Sequence, residues 1–220
     1  MRMRTKKHLA ARMERCVDLQ ITDPEEVQGR WAEVFGNDNP IYLEIGCGKG
    51  AFVKQNAEKF PDINFVAMEK DKNVIISAME SIKSSEIKNV KFICDNADII
   101  DEFLEENECQ RIYINFSDPL PKHGYRKKRL THERYLSMYK KILEPGAEIH
   151  QKTDNKNLFE FSLNSFLDND FLLKNVSLNV HDGDCSENIM TEYEAKFVKM
   201  GMQIYSLVAV NAPPELEPEL

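Results

Sequence analysis

Three glycines at alternate positions, Gly46, Gly48 and Gly50, follow an apolar run and precede a stretch with helical character. Glycine lets the backbone pass close to a ligand because it has no Cβ, and the start of a helix presents N–H groups that lack intrahelical partners. A buried strand that turns through glycines into a helix is typical of a nucleotide-cofactor site. Ordinary tight turns show the same pattern, so the neighbouring residues decide between the two.

The neighbour that decides is Glu44, which stands at the strand end two residues before Gly46. A carboxylate there would repel the pyrophosphate of a nicotinamide dinucleotide, which disfavours a nicotinamide-dependent reductase. It suits a cofactor that carries a cationic amino-acid group. S-adenosylmethionine is the common cofactor of that kind, and we expect it here.

Two further strand ends carry polar residues suited to an adenosine. Glu69 follows the apolar run 64–68, where an acid can accept hydrogen bonds from both ribose hydroxyls. The polar stretch 95–98 follows a third apolar run, and its side chains are in a place to contact an adenine edge. Because the carboxyl ends of parallel strands meet at one edge of a sheet, we expect these side chains to lie close together.

The fourth strand end leads into a loop that contains Asp118, Pro119 and Pro121. Proline fixes its φ angle, so the two prolines stiffen the loop and help to hold a reacting geometry. Ligands of open α/β sheets bind outside the carboxyl ends of the strands, near the switch point between strands one and four, so Asp118 is expected beside the reactive end of the cofactor. A proline-rich turn without function is the alternative.

The elements that position these residues alternate between strand and helix. Such alternation predicts right-handed βαβ units and a doubly wound α/β fold, with a mostly parallel seven-stranded sheet and helices on both faces. The predicted strands are 41–45, 64–68, 91–94, 111–116, 148–152, 172–180 and 202–210, the last two closing the sheet as an antiparallel end. The predicted helices are 23–35, started by Asp23 and Pro24, then 51–59, 72–84, 98–106, 131–143 and 155–168.

Length and composition predict one domain. The 220 residues divide into a basic N-terminal arm (1–20), disordered until a partner binds, a single catalytic domain (21–211) and an acidic, disordered tail (212–220). No apolar run reaches the roughly 18 residues that cross a bilayer, so we expect a cytoplasmic protein without a membrane partner. The five cysteines and five histidines show no ligand spacing, which predicts neither a disulfide nor a metal site.

The net charge of −8 is unevenly distributed. Residues 1–15 and 122–134 each carry +5, so the rest of the chain carries −18. Charge runs are often only solvated faces. Two concentrated basic segments on an acidic chain, one directly after the Asp118 loop, favour a local surface for a polyanion such as a nucleic acid.

Five segments together resemble the bacterial tRNA (guanine-N7)-methyltransferases. They are LEIGCGKG (43–50), NFSDPLPK (115–122), KKRL (127–130), KTDN (152–155) and MTEYE (190–194). The resemblance implies a Rossmann-like class I methyltransferase fold, S-adenosylmethionine as cofactor, and methyl transfer to N7 of a guanine in the variable loop of tRNA. It also implies tRNA as partner and a monomer or homodimer.

The resemblance carries over residue by residue. Cofactor-binding positions are Glu44, Glu69, Asn96 and Asp118, beside Gly46 and Gly48 of the glycine turn, and Asp118 is also the family's presumed catalytic residue. Substrate-binding positions are Lys122, Asp154, Thr191, Glu192, Tyr193 and Glu194. The RNA-contacting segment is Gly124, Tyr125, Arg126, Lys127, Lys128 and Arg129.

The chemistry of guanine agrees with these residue types. N7 has a free lone pair and no proton to lose, so the transfer needs alignment rather than a strong base. The Watson–Crick edge presents N–H donors, which the carboxylates of Asp154, Glu192 and Glu194 can accept. One position departs from the family, because Leu120 stands where the loop usually reads Pro-Trp-Pro. This departure leaves a catalytically weak or silent RNA-binding protein as the alternative.

Overall fold

In the computed structural model, which describes residues 6–183 and 188–212, eight strands form one sheet in the order β1-β4-β3-β2-β5-β6-β8-β7. The strands are β1 (Gln20–Ile21), β2 (Ile41–Ile45), β3 (Asn64–Met68), β4 (Val90–Ile93), β5 (Cys109–Asn115), β6 (Leu143–Thr153), β7 (Phe171–Ser177) and β8 (Tyr205–Asn211). All pairings from β1 through β6 are parallel, and β8 is antiparallel to both of its neighbours. The predicted fold and its antiparallel end are confirmed.

Helices cover both faces of the sheet. The α-helices are α1 (Leu9–Glu14), α2 (Trp31–Phe35), α3 (Ala51–Lys59), α4 (Lys72–Lys83), α5 (Ile100–Phe103), α6 (Glu133–Ile142), α7 (Lys156–Asp168) and α8 (Glu192–Lys199). Successive strand residues point to opposite faces. Leu43 and Val66 therefore join the core under α2, α5, α6 and α7, whereas Phe65 and Ala67 join the core under α1, α3 and α4.

The order of the strands sets the place of the site. After β2 the chain builds β3 and β4 on one side, and it then crosses to lay β5 against the other side of β2. Ligands of open α/β sheets bind at such a switch point, outside the carboxyl ends of the strands. Here Glu44 pairs in register with Ala67 of β3 and Tyr113 of β5.

Two expectations about elements are corrected. The sheet has an eighth strand, β1, whose two residues pair with Phe92 and Ile93 of β4; two residues are too few to give a periodic pattern. The predicted helix 23–35 is divided into a 3-10 helix (Pro24–Glu26) and α2, with Gly29 at φ +68° between them, and the Asp23 side chain caps neither.

The described part of the basic arm is folded, which corrects the expectation of disorder for residues 6–20. Cys16 and Leu19 are buried in the core under α4, and Arg12 Nε donates a 2.7 Å hydrogen bond to Glu80 Oε1 of α4. Residues 1–5 and the predicted tail from 213 onward lie outside the described residues. In the described ranges, no helix is long and apolar enough to cross a membrane.

Helix α3 lies very close to α4 at the end of the glycine turn. Gly50 has φ +81°, a conformation that side chains rarely adopt, and a Cβ there would come within 2.6 Å of Ala78 Cβ. The contact between Gly50 and Ala78 of α4 therefore fixes the end of the glycine turn that leads into α3.

We expect Gly50→Ala to lower the free energy of unfolding by roughly 3 kcal/mol, because it adds left-handed strain to the clash with α4. Gly146→Ala is the matched control: Gly146 has φ +85° but nothing within 4 Å of an added Cβ. It should cost only the strain, about 1 kcal/mol. Urea unfolding of both variants checks the difference, and equal losses would show that the helix contact is not limiting.

Candidate functional site

The glycine turn joins β2 to α3 at the switch point. The N–H groups of Gly46 and Cys47 donate to Met68 O of β3 at 2.9 and 2.8 Å, which fixes the start of the turn. A Cβ added at Gly46 or Gly48 would meet no described atom within 4 Å. The turn therefore leaves open space for a ligand beside its backbone.

Glu44 is buried beneath this turn with only 3% of its surface exposed. Its Oε2 has no hydrogen-bond partner among the described residues, and the same holds for Nδ2 of Asn115 at the end of β5. Burial raises the pKa of the Glu44 carboxyl to about 8. Since a buried carboxylate is costly unless paired, the arrangement fits a cationic ligand group such as an ammonium.

Glu44 and Asn115 line one cleft together with residues from the turn and from α8. The other walls are Gly46, Cys47, Gly48, Lys49, Ala51, Phe52, Phe116, Thr191, Glu192 and Tyr193. Residues far apart in the sequence therefore meet where the sheet changes direction. The cleft, of about 40 Å³, has an acidic floor, a glycine wall and an aromatic rim, which suits the amino-acid end of a cofactor.

The remaining predicted cofactor residues lie at successive strand ends. Glu69 is half-buried after β3 and accepts a 3.0 Å hydrogen bond from Asp71 N. Asn96 is exposed after β4 and caps the 3-10 helix Ala97–Ile99 by accepting from Asp98 N at 2.7 Å. Asp118 follows β5 with 73% of its side chain exposed, and its Oδ2 lies 3.5 Å from Lys70 Nζ.

The loop that carries Asp118 is held by Arg129. Arg129 Nε donates a hydrogen bond to Pro119 O at 3.1 Å, and a terminal NH₂ of the same guanidinium donates to Leu120 O at 3.2 Å. Phe116 and Leu120 adopt positive φ angles of 51° and 44°, which non-glycine residues adopt only when their surroundings enforce them. The Asp118 loop therefore has a backbone fixed by a neighbouring guanidinium.

Helix α8 places most of the predicted substrate residues on the other side of the cleft. Thr191 caps the helix in a capping box with Glu194, and Glu192 lies 3.3 Å from Lys49 Nζ. Tyr193 is 57% exposed, and its ring stacks on Phe116 at 6.3 Å between centroids. Asp154 is half-buried just after β6.

Glu194 differs from these residues because it is fully buried and fully paired. Its Oε2 lies 3.0 Å from Lys152 Nζ, and its Oε1 accepts from Asn188 Nδ2 at 2.6 Å and lies 3.0 Å from His181 Nε2. Lys152 also donates to Ile189 O at 3.0 Å. Burial lowers the pKa of Lys152. In this arrangement Glu194 anchors α8 to β6 rather than facing a ligand.

The predicted RNA-contacting residues form an exposed turn next to the Asp118 loop. Lys122 precedes the 3-10 helix His123–Lys128, in which Gly124, Tyr125, Arg126, Lys127 and Lys128 are exposed. Arg129 is only half-buried, but its donors bind the loop. Four cationic side chains thus remain available for phosphates on this turn.

Asn115, Phe116 and Lys152 lie at the site but carried no role in the sequence analysis. Each stands at the carboxyl end of β5 or β6, and the rule applied to Glu44, Glu69 and Asn96 would have found Asn115 and Lys152. Nothing in the sequence marks Phe116. Among the described residues, no three His, Cys, Asp or Glu side chains group to hold a metal ion, and Cys16, Cys47, Cys94 and Cys109 are free thiols.

Comparisons with known proteins agree with the geometry. Residues 38–207 match the family model described as a putative methyltransferase. The chain is 44% identical to the tRNA (guanine-N(7)-)-methyltransferase of Bacillus subtilis (strain 168) over 205 residues, 93% of this chain and 96% of that protein. It is 43% identical to the protein of the same name from Listeria innocua serovar 6a, over 95% of this chain and 98% of that one.

A solved structure shares the fold. It is the 16S rRNA (adenine(1408)-N(1))-methyltransferase from Catenulisporales acidiphilia with its cosubstrate SAM, similar with a TM-score of 0.62 and 15% sequence identity. The match covers 89% of this chain and 94% of that chain. At this identity the likeness concerns the arrangement of the sheet and helices.

The buried Glu44 predicts a specific pH dependence for the protein without cofactor. In the unfolded chain this carboxyl ionises near 4.5, whereas in the folded protein it keeps its proton up to about pH 8. The unfolded state therefore gains stability as pH rises between these values, and the free energy of unfolding falls by roughly 1.4 kcal/mol per pH unit. Glu44→Gln should remove that slope in urea unfolding measured from pH 5 to 8.

The control is Glu58→Gln, an exposed glutamate of α3, which should keep the wild-type slope. If Glu44→Gln and Glu58→Gln show the same pH dependence, the Glu44 carboxyl is not desolvated in solution.

The Lys152–Glu194 pair predicts a coupled loss of stability. Lys152→Met leaves the Glu194 carboxylate buried without its cation, so the free energy of unfolding should fall by roughly 3 kcal/mol. The double variant Lys152→Met/Glu194→Gln should recover most of this loss, because no buried charge remains. A double variant that is as unstable as the sum of its parts would contradict the pairing.

Proposed function

The chain belongs to the tRNA (guanine-N7)-methyltransferase family, and on that premise we propose that it transfers a methyl group from S-adenosylmethionine to N7 of a guanine in tRNA. The observation that carries the proposal is the buried Glu44 below an open glycine turn, whose Oε2 has no hydrogen-bond partner among the described residues. The substrate is inferred from two relatives of that name, to which the chain is 44% and 43% identical over nearly its whole length.

The described residues fit the cofactor at three points. The Glu44 carboxylate would accept hydrogen bonds from the ammonium of its methionine part, and Gly46 and Gly48 give that part room. Glu69 would bind the ribose hydroxyls, and Asn96 would contact the adenine from the next strand end. When bound, the cofactor supplies an electrophilic methyl group on a sulfonium sulfur.

The protein's own task is to position the guanine. N7 attacks with its lone pair and leaves no proton to remove, so a general base is unnecessary. Asp118 is exposed on a loop whose backbone Arg129 holds, which allows its carboxylate to orient the base and balance the positive charge that develops on the purine. The target base has to leave its stack to reach the cleft.

The other predicted substrate residues divide into two groups. Glu192 and Tyr193 are exposed at the cleft, where the carboxylate can read the N–H donors of guanine and the ring can stack on it. Asp154 is half-buried just after β6 and would add a second carboxylate for those donors. Thr191 and Glu194 support the site through the cap and the buried pair of α8. Lys122 and the 124–128 turn would contact the phosphates of the tRNA.

Leu120 favours the alternative of a silent RNA-binding protein only if the missing aromatic is essential. The Leu120 carbonyl is held by Arg129, and Phe116 and Tyr193 provide aromatic surface at the cleft. We therefore place methyl transfer first. The guanine of the variable loop as target, the cytoplasmic location and the monomer or homodimer belong to the same proposal.

The test is transfer of labelled methyl from S-adenosylmethionine to unmodified tRNA, followed by nucleoside analysis. We expect 7-methylguanosine, and a drop in kcat of at least about a hundredfold for Asp118→Ala, since it removes the charge beside the reacting base.

Asp38→Ala is the control for this variant, because Asp38 is an exposed aspartate in the turn that enters β2 at the opposite edge of the sheet. Its activity should match the wild type. A different methylated nucleoside would refute the guanine assignment, and tRNA binding without any methylation would favour the silent RNA-binding protein.

A further inference from the structure

A second pocket, of about 500 Å³ and wide open to solvent, lies between the 3-10 helix His123–Lys128 and α7. Its lining includes Arg126, Arg129, Phe161, Asn164 and Asp168, and it shares no residue with the cleft at Glu44. This volume falls in the range of small-molecule sites and is large enough for one nucleotide. We name it the α7 pocket.

One wall of the α7 pocket is an aromatic ring with two guanidinium groups. The Cζ atoms of Arg126 and Arg129 lie 4.9 and 4.5 Å from the centroid of Phe161. Arg129 donates two hydrogen bonds to backbone carbonyls of the Asp118 loop. In contrast, no described oxygen accepts a hydrogen bond from the Arg126 guanidinium, which stacks on Phe161. Arg126 is thus held in place by stacking while its donors remain available for a phosphate.

Helix α7 also contributes two hydrogen-bond acceptors on the same side as Phe161, because positions 161, 164 and 168 share one face of the helix. Asp168 is an exposed carboxylate without an ion pair in the described part of the chain, and Asn164 donates its Nδ2 to Glu160 O at 2.7 Å, which leaves its Oδ1 as an acceptor. A phosphate alone would be repelled by Asp168. A nucleobase edge with N–H groups, such as that of guanine, would satisfy both acceptors.

From these contacts we propose that the α7 pocket binds a second nucleotide of the tRNA, apart from the guanine that is methylated. Its phosphate lies on Arg126, its base lies against Phe161, and the edge of the base faces Asn164 and Asp168. The proposal rests on the proposed function in taking tRNA as the substrate. It extends the RNA-binding surface from the basic turn onto α7.

The pocket also has a direct connection to the reacting loop. Arg129 contacts Phe161 with the same guanidinium that holds the carbonyls of Pro119 and Leu120. A nucleotide seated against Phe161 restrains Arg129 and, through it, the loop that carries Asp118. The second nucleotide therefore helps to align the first.

The test compares charge removal inside and outside the α7 pocket. Arg126→Gln and Lys127→Gln each remove one positive charge from the same exposed turn, but only Arg126 lines the pocket. In tRNA binding at fixed salt, we expect Arg126→Gln to raise Kd about tenfold and Lys127→Gln no more than about threefold, the size of a single phosphate contact. Unchanged S-adenosylmethionine binding shows that both variants are folded.

Two further variants test the base. Phe161→Leu keeps an apolar side chain but removes the ring, and Asp168→Asn keeps the size but removes the carboxylate; both should raise the KM for tRNA at least about fivefold. Asp168→Asn removes a negative charge, so a purely electrostatic surface would instead bind tRNA more tightly. Tighter tRNA binding by Asp168→Asn, or equal Kd values for Arg126→Gln and Lys127→Gln, would refute the proposal that the α7 pocket binds a nucleotide.

Failure of the proposed function gives a different pattern. If the wild-type protein binds tRNA but yields no 7-methylguanosine, the reaction is wrong, and the Kd comparison still decides the pocket. If 7-methylguanosine forms and all four variants bind tRNA like the wild type, the reaction stands and the pocket is refuted.

Discussion

The structure depends on one costly arrangement, a glutamate buried at the end of β2 without a protein partner for one of its oxygens. Such a group is costly on its own, and a cationic ligand group would offset its burial. The features around Glu44 leave room for such a ligand. The glycine turn keeps side chains away from the carboxyl group, and the switch of strand order opens a cleft above it. The same burial that weakens the protein on its own makes the site selective for a cation.

The walls of the cleft are fixed by polar contacts made elsewhere. On one side, Arg129 holds the loop of Asp118 by two of its carbonyls. On the other side, the buried pair of Lys152 and Glu194 ties α8 to the end of β6. Both anchors use charged groups as structural contacts, so the Asp118 loop and helix α8 are positioned by hydrogen bonds and an ion pair made outside the cleft.

The sequence was sufficient where local patterns are strong. The bounds of β2, β3 and α3 agree with prediction, because apolar runs with clear glycine or polar ends specify them. It was insufficient for β1, whose two residues are a strand only through pairing with β4. It also could not show that Glu194 is buried, since its partner Lys152 lies 42 positions away and the other carboxylate of the motif, Glu192, is exposed. Cofactor residues at strand ends follow from topology, whereas the anchors follow from tertiary contacts.

The close approach of Gly50 to Ala78 means that the side chains allowed at these two positions depend on each other. Because a Cβ added at Gly50 would lie only 2.6 Å from the methyl of Ala78, neither position can accept a larger side chain unless the helices separate. A separation would tilt α3 and shift the glycine turn at its head. Relatives that change one of these residues should therefore change the other, and a designer who repacks α4 for heat resistance is also adjusting the geometry of the cofactor cleft.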